Sequence, residues 1–367
     1  MMTAIWFLIK SLGVLILFGC VWYALSPVFG ARLSTKALKV YEGSPQLNTV
    51  FSNAKPINMG FSWEDIRTAY SDYRASRAWA TPPNGQPPVI KTNFGEFNND
   101  QRETAFVWVG HSTFLLRMEQ KTLLIDPMFG SVPSPISFIG GKRFNQELPF
   151  HIEQLDSVDF VLITHDHYDH LDFPSIIALA PKVGQFLVPL GIGEHLKTWG
   201  VPSEKIRELD WWEHVAMDDL SFHLTPAQHF SGRAIADRFH TLWGSWVIKS
   251  ATEALFFSGD SGYAPHFKEI GERLGPFDMA FVEAGQYNKR WPDVHMYPEE
   301  SYQAAMDVKA KAVMPIHWGA FSLAMHPWNE PAQKMYERAQ TGEPIIVIPK
   351  IGEKVSLQDL PDTQPWW

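Results

Sequence analysis

One cysteine, Cys20, stands in 367 residues, so no intrachain disulfide can form and the fold must rest on packing. Basic residues are in short supply: 31 Lys and Arg against 40 Asp and Glu leave a formal net charge of −9. That balance argues against nucleic acid as the main partner, because a phosphate backbone needs a basic footprint. No internal repeat is visible, which excludes a repeat array. Regular hydrophobic periodicity is scarce over residues 31–100, where Thr81-Pro82-Pro83-Asn84-Gly85-Gln86-Pro87-Pro88 reads as a turn-rich or extended linker. Charge is nearly absent from residues 4–25, where Lys10 alone interrupts the apolar run.

What the chain does contain is apolar and aromatic. Hydrophobic residues make up 45% and charged residues 19%, which fits one large α/β domain with extensions. The 15 Trp and 25 Phe point to an apolar groove or a membrane-facing surface as well as a core. Residues 1–30 read as a membrane anchor, their apolar run matching the ~20 residues that cross a bilayer. Leu17-Phe18-Gly19-Cys20 also resembles a lipoprotein cleavage site, but Phe18 is bulky there and Val21-Trp22-Tyr23-Ala24-Leu25 stays apolar. An uncleaved single-pass anchor in a bacterial inner membrane is the expectation, with lipid-modified Cys20 the alternative. Arg32, Lys36 and Lys39 after the run favour a cytoplasmic domain; the short tail with Lys10 resembles an exporting signal-anchor. The face stays open. Residues 31–100 are expected to form an arm over a catalytic domain at 101–360, and the anchor is expected to be separable from that domain.

From residue 104 short strand patterns succeed one another, at 105–109, 113–118, 122–125 and 158–162. Others follow at 186–188, 220–224, 243–248, 254–257, 279–282, 312–315 and 345–348. Helical patterns at 192–199, 266–274, 298–308 and 330–339 interleave with them. The strand at 158–162 runs into His165-Asp166-His167-Tyr168-Asp169-His170, an H-x-H-x-D-H cluster. In an extended chain, residues two apart share a side, so His165 and His167 face one ion. The turn carries Asp169 and His170 to a second position, and Asp172 with Pro174 starts a helix. Imidazole and carboxylate suit zinc and its first-row neighbours. Three later strands end in the same way, at His229, Asp260 and His317.

With these residues in view, the chain resembles the metallo-β-lactamase-fold hydrolases, and within them the branch of N-acylphosphatidylethanolamine-hydrolysing phospholipases D. The resemblance spans roughly residues 107–351. It rests on H-x-H-x-D-H together with Asp210-Trp211-Trp212-Glu213, Leu242-Trp243-Gly244-Ser245 and His317-Trp318-Gly319-Ala320-Phe321. It implies a mixed α/β fold, an αββα sandwich with two divalent ions at one sheet edge, zinc by default and manganese or iron accepted. His165, His167 and His229 would hold one ion, Asp169, His170 and His317 the other, and Asp260 would bridge. A phosphodiesterase of the phospholipase D type, working through a metal-bridging hydroxide on a phospholipid, is implied. A lactonase or cyclic-phosphate diesterase on a soluble substrate is the rival enzyme, and a membrane-tethered scaffold is the non-enzymatic one.

Asp126 is expected to orient a ligand histidine from behind. Arg233 is expected to meet a substrate phosphate, with His295 and His326 positioning substrate or protonating a leaving group. Tyr287, Trp318 and Phe321 are assigned to substrate, and His111 lines the site or packs beneath it. His151, His195, His214, His223, His240 and His266 are read as structural or exposed. Phospholipid and membrane are the expected partners; the oligomeric state stays open, a homodimer included.

Overall fold

A computed structural model describes residues 2–58, 62–83, 85–99, 103–339, 342 and 344–367. Fourteen strands among them form two seven-stranded sheets. The first sheet carries β1 (Ala105–Gly110), β2 (Thr113–Met118), β3 (Lys121–Ile125), β4 (Val158–Leu162), β5 (Val183–Pro189), β6 (Ile206–Leu209) and β14 (Lys354–Ser356), in the order β14-β1-β2-β3-β4-β5-β6. The second carries β7 (His214–Met217), β8 (Leu220–Thr225), β9 (Ser245–Lys249), β10 (Ala254–Phe257), β11 (Phe277–Glu283), β12 (Ala310–Ile316) and β13 (Ile345–Ile346), in the order β13-β12-β11-β10-β9-β8-β7. From β3 to β6 and from β10 to β13 the neighbours are parallel. Their carboxyl ends therefore open on one edge.

The period of two explains the layering. Phe106, Trp108, Phe114 and Leu116 point between the sheets, where they join Phe222, Leu224, Trp246 and Phe281 in one core. The alternating Ala105, Val107, Val109 and Leu115 point outward into a second core. That core is closed by α4 (Phe173–Leu179) and α5 (Ile192–Thr198), through Ile176, Leu179, Ile192 and Leu196. On the far side α6 (His266–Arg273), α7 (Pro298–Asp307) and α8 (Glu330–Ala339) pack together and against β11 and β12. The order is helix, sheet, sheet, helix. Trp108 and Trp318 are fully buried with rings 5.2 Å apart, and each large apolar side chain so placed contributes about 1.5–3 kcal/mol.

The arm is more ordered than its composition foretells. It holds α2 (Trp63–Ser76), started by a capping box between Ser62 and Asp65, and α3 (Phe94–Asn99). Arg290 ties α2 to the body through Asp65 and Asp72. The boundary drawn at residues 100 and 101 lies outside the described residues.

The N-terminal segment is a single helix, α1 (Met2–Leu25). Among the described residues no helix is long and apolar enough to cross a membrane, so the expected transmembrane segment is not supported. What the fold does show is an apolar helix with Phe7, Phe18 and Leu25 more than 70% exposed. Separability also has a nearer limit than residue 30, because Pro27 and Val28 are bonded into the body.

Candidate metal centre

Strand register brings the candidate residues together. β3 pairs in parallel with β4, Ile125 opposite Leu162, so Asp126 emerges beside the start of the H-x-H-x-D-H turn. There it accepts from Thr164 N–H (2.8 Å) and the Thr164 hydroxyl (2.7 Å) and sits 2.7 Å from His170 Nδ1. β10 pairs with β11, Phe257 opposite Phe281, and β11 with β12, Glu283 opposite Ile316. The chain beyond β10 thus brings Asp260 beside Glu283 and His317. His111 arrives from the β1–β2 turn, where its amide donates to Trp318 O and its carbonyl accepts from His317 N. His111, Asp126 and His317 all hold positive φ (57°, 43° and 68°), a conformation that non-glycine residues keep only where the surroundings impose it.

Three overlapping groups of donor atoms result. His165, His167, His229 and Asp260 form the first, His111, Asp169, His170 and His317 the second, and Asp260, Glu283, His295 and His317 the third. In the first, His165 Nε2 lies 2.9 Å from His167 Nδ1, and His229 Nε2 lies 3.2 Å from the same nitrogen. Asp260 Oδ2 stands 3.7 Å from His165 Nε2 and 3.8 Å from His229 Nε2. In the second, His317 Nε2 is 3.2 Å from Asp169 Oδ2 and 3.2 Å from Asp260 Oδ2. His111 Nε2 is 2.8 Å from Asp169 Oδ2.

The tautomers show that these atoms fit cations. His229 Nδ1–H donates to Val294 O at 3.0 Å, and His170 Nδ1–H donates to Asp126. Thr164 Oγ1, its own proton given to Asp126, accepts from His165 Nδ1 at 3.0 Å. The His165 and His229 rings then turn a bare Nε2 inward, and His170 Nε2 faces the same way. His170 Nε2 faces Asp260 Oδ1 across 3.2 Å and Asp169 Oδ2 across 3.4 Å. His170 Nε2 and Asp260 Oδ1 are buried with no hydrogen-bond partner among the described residues. Burial lowers His170, but Asp260, Asp169 and Asp126 raise it well above its ordinary value, so positive charge belongs between these buried groups, as a proton on Nε2 or as a cation in its place.

Electrostatics agree. Burial, with neighbouring imidazoles, pushes His165 well below its ordinary value, and burial also lowers His167 and His229. All three stay neutral, the form that offers a lone pair. Burial pushes Asp260 and Asp169 up, but the surrounding histidines, His170 foremost, hold both well below the usual carboxylate range.

Several assigned roles change. Arg233 cannot meet a substrate phosphate: it is buried, and its guanidinium donates to the carbonyls of Val28, Asp166 and Leu171. His326 has both nitrogens engaged, Nε2 accepting from Gln286 N–H (2.7 Å) and Nδ1 donating to Pro327 O (2.8 Å). Burial lowers it to about 4, so it holds no proton for a leaving group. Trp318 is core, stacked on Trp366 at 5.7 Å. Phe321 and Tyr287 are buried too, the first against the His111 ring and the second stacked on His326. His111 packs beneath the site rather than facing substrate; burial lowers it to about 3.

Glu283 escaped the sequence reading, although it ends an apolar strand as the other candidates do. It is fully buried and accepts from Ser261 N–H and Met296 N–H, each at 2.8 Å, with His295 Nδ1 at 3.0 Å. The His295 ring lies 5.1 Å from those of His317 and His229. Asn53 also escaped: from the arm, its amide clasps the His229 backbone at 2.7 and 3.0 Å. No local pattern announces that contact.

Replacing Asp126 by Asn leaves an NH2 facing either Thr164 N–H or His170 Nδ1–H, and in both cases the charge that holds the His170 ring is lost. A loss of about 10–100-fold in metal affinity is expected, with the fold kept. Competition against a chromophoric chelator measures it; unchanged affinity removes Asp126 from this role.

Residues 121–318 match the family described as a beta-lactamase superfamily domain. An uncharacterised protein of Mycobacterium tuberculosis is 37% identical over 334 residues, 89% of this chain and 88% of that protein. An N-acyl-phosphatidylethanolamine-hydrolyzing phospholipase D of Caenorhabditis elegans is 33% identical over 264 residues, 68% of this chain and 73% of the worm protein. Among solved structures, a metallo hydrolase of the archaeon Ignicoccus hospitalis superposes with a TM-score of 0.53 at 23% identity, covering 69% of this chain and 97% of its own.

Proposed function

The chain belongs to the beta-lactamase superfamily as a metal-dependent hydrolase, and from that premise we propose that it hydrolyses a phosphodiester in a phospholipid headgroup. The bond is cut on the phospholipase D side. With an N-acylated phosphatidylethanolamine, the products are phosphatidic acid and the N-acyl amino alcohol. The observation that carries this is the pair of donor groups with Asp260 between them. His165, His167 and His229 would hold one ion, Asp169, His170 and His317 the other, and Asp260 would face both. When bound, divalent ions of the zinc type bring a water's pKa toward neutrality and offset negative charge on a phosphoryl group.

The chain's own residues do the rest. Glu283, fixed by two backbone amides, holds His295 by Nδ1 and sets the ring beside His317 and His229. Burial lowers the His295 pKa, but Glu283, Asp260 and Asp169 together raise it above its ordinary value. His295 is thus suited to hold a proton for a leaving alkoxide. Phe230, half-buried with its ring 4.5 Å from that of His167, offers apolar contact near the first donor group.

The lipid class is supported by the relative from Caenorhabditis elegans and by α1. A helix that turns large apolar side chains outward needs a non-aqueous neighbour, and α1 exposes Phe7, Phe18 and Leu25. Between α1 and residues 135–138 lies a cavity of about 450 Å³, lined by Leu15, Phe18, Trp22, Ile136 and Phe138. Association of this surface with a bilayer brings the metal centre to its substrate.

The test incubates the zinc-loaded full chain with phospholipids, a soluble aryl phosphodiester and a lactone panel, followed by mass spectrometry. Phosphatidic acid from the N-acylated lipid is the expected product. Turnover of lactones with no phosphate-bearing product from any lipid overturns the assignment.

A further inference from the structure

Residues 27–31, directly after α1, enter a buried socket beneath the H-x-H-x-D-H turn. Trp199 Nε1–H donates to Pro27 O at 2.7 Å. Arg233 donates to Val28 O through Nε (3.3 Å) and Nη2 (2.9 Å), and its Nη1 reaches Asp166 O (2.5 Å) and Leu171 O (2.7 Å). One guanidinium thus joins the segment after α1 to both ends of the loop that carries His167, Asp169 and His170. The Arg233 backbone also accepts from the Tyr168 hydroxyl at 2.6 Å, so the loop grips this arginine from a third point.

A second path runs beside the first. Ala31 N–H donates to His195 Nδ1 at 2.9 Å, which fixes the tautomer and turns His195 Nε2–H toward Asp166 Oδ2, 3.5 Å away. Asp166 lies between His165 and His167, is buried, and accepts from Gly232 N–H (2.8 Å) and the Thr241 hydroxyl (2.9 Å). Gly30 makes the close approach: φ is +66°, and a Cβ there would stand 2.2 Å from His195 Nδ1.

The geometry points to residues 27–31 as a positioning element of the metal centre, acting through Arg233, His195 and Trp199 on the loop 166–171. This rests on the reading of the donor cluster as a metal centre. It reaches beyond that reading by making the segment after α1 part of the scaffold that sets metal affinity. A buried guanidinium takes two of its acceptors from the loop and a third from residues 27–31. If that segment is displaced, Arg233 has to find another acceptor, and the loop it braces shifts with it.

The experiment uses the full chain and zinc itself. Trp199→Phe deletes one N–H to that segment and keeps a ring; Arg233→Lys keeps the charge and loses the fork; Gly30→Ala drives a methyl into His195. Val40→Ser, at an exposed arm position, is the control. Zinc affinity is read by chelator competition, and the melting temperature of the metal-free chain is read separately. Each of the three variants is expected to bind zinc about tenfold or more weakly, with the control unchanged. Should Gly30→Ala not fold, Trp199→Phe and Arg233→Lys carry the result. Unchanged zinc affinity in those two, with or without a lowered melting temperature, overturns the inference and leaves the segment as structural support only. Failure of the metal-centre reading looks different, since the wild-type chain then takes up no zinc, and that outcome overturns both.

Discussion

Asp260→Asn is expected to lower kcat/KM by about 10²-fold or more and to cut bound metal at the same time. The reason is geometric. Oδ1 faces His170 Nε2 at 3.2 Å, while Oδ2 faces His317 Nε2 at 3.2 Å and His165 Nε2 at 3.7 Å. Oδ2 thus faces residues of both donor groups while Oδ1 turns to the second, and both groups need the negative charge. An amide presents one weak acceptor and an NH2 that points its protons where a cation belongs. Burial makes the exchange harsher, because Asp260 is only 4% exposed and water cannot repair the lost contact. Steady-state kinetics with metal analysis of the same preparation checks the prediction. Turnover near wild type would show that this carboxylate is not shared between the groups.

Much of this centre was legible because the fold repeats one device: an apolar strand, then a ligand-type residue, then a turn. β4 leads to His165, β8 to His229, β10 to Asp260 and β12 to His317; parallel pairing through β11 collects the ends of β10 and β12, and β8 runs to the same edge through antiparallel β9. Glu283 obeys the same rule at the end of β11 and was readable in principle. β6 and β7 were not, since Ile206-Arg207-Glu208-Leu209 and His214-Val215-Ala216-Met217 are short and half-exposed, with too little alternation to register. Contacts between distant segments were out of reach for a different reason. Arg233 sits in a motif beside a ligand histidine, which suggests substrate. Its partner Val28 lies 205 positions away, and only the folded chain reveals the commitment. His326 and Trp318 misled similarly, since proximity in sequence to a ligand does not say which way a side chain turns.

His295→Gln is expected to separate proton transfer from metal binding. Glutamine can still reach Glu283 from this position but cannot carry a proton to a leaving oxygen. With a phospholipid, whose alkoxide leaving group needs protonation, a loss of about 10²–10³-fold is expected. With an aryl phosphodiester the phenolate departs unaided, so the loss should shrink to within about tenfold. Bound metal should stay at the wild-type level, because neither donor group needs His295: His165, His167, His229 and Asp260 form one, and His111, Asp169, His170 and His317 the other. His295 also falls within reach of Asp260, Glu283 and His317 as a third candidate group, and the same measurement decides that question. If metal content falls with activity, and the two substrates suffer alike, His295 is a ligand or a support. Intact metal with a loss confined to the poor leaving group leaves proton donation as its role, with Glu283 holding the ring that performs it.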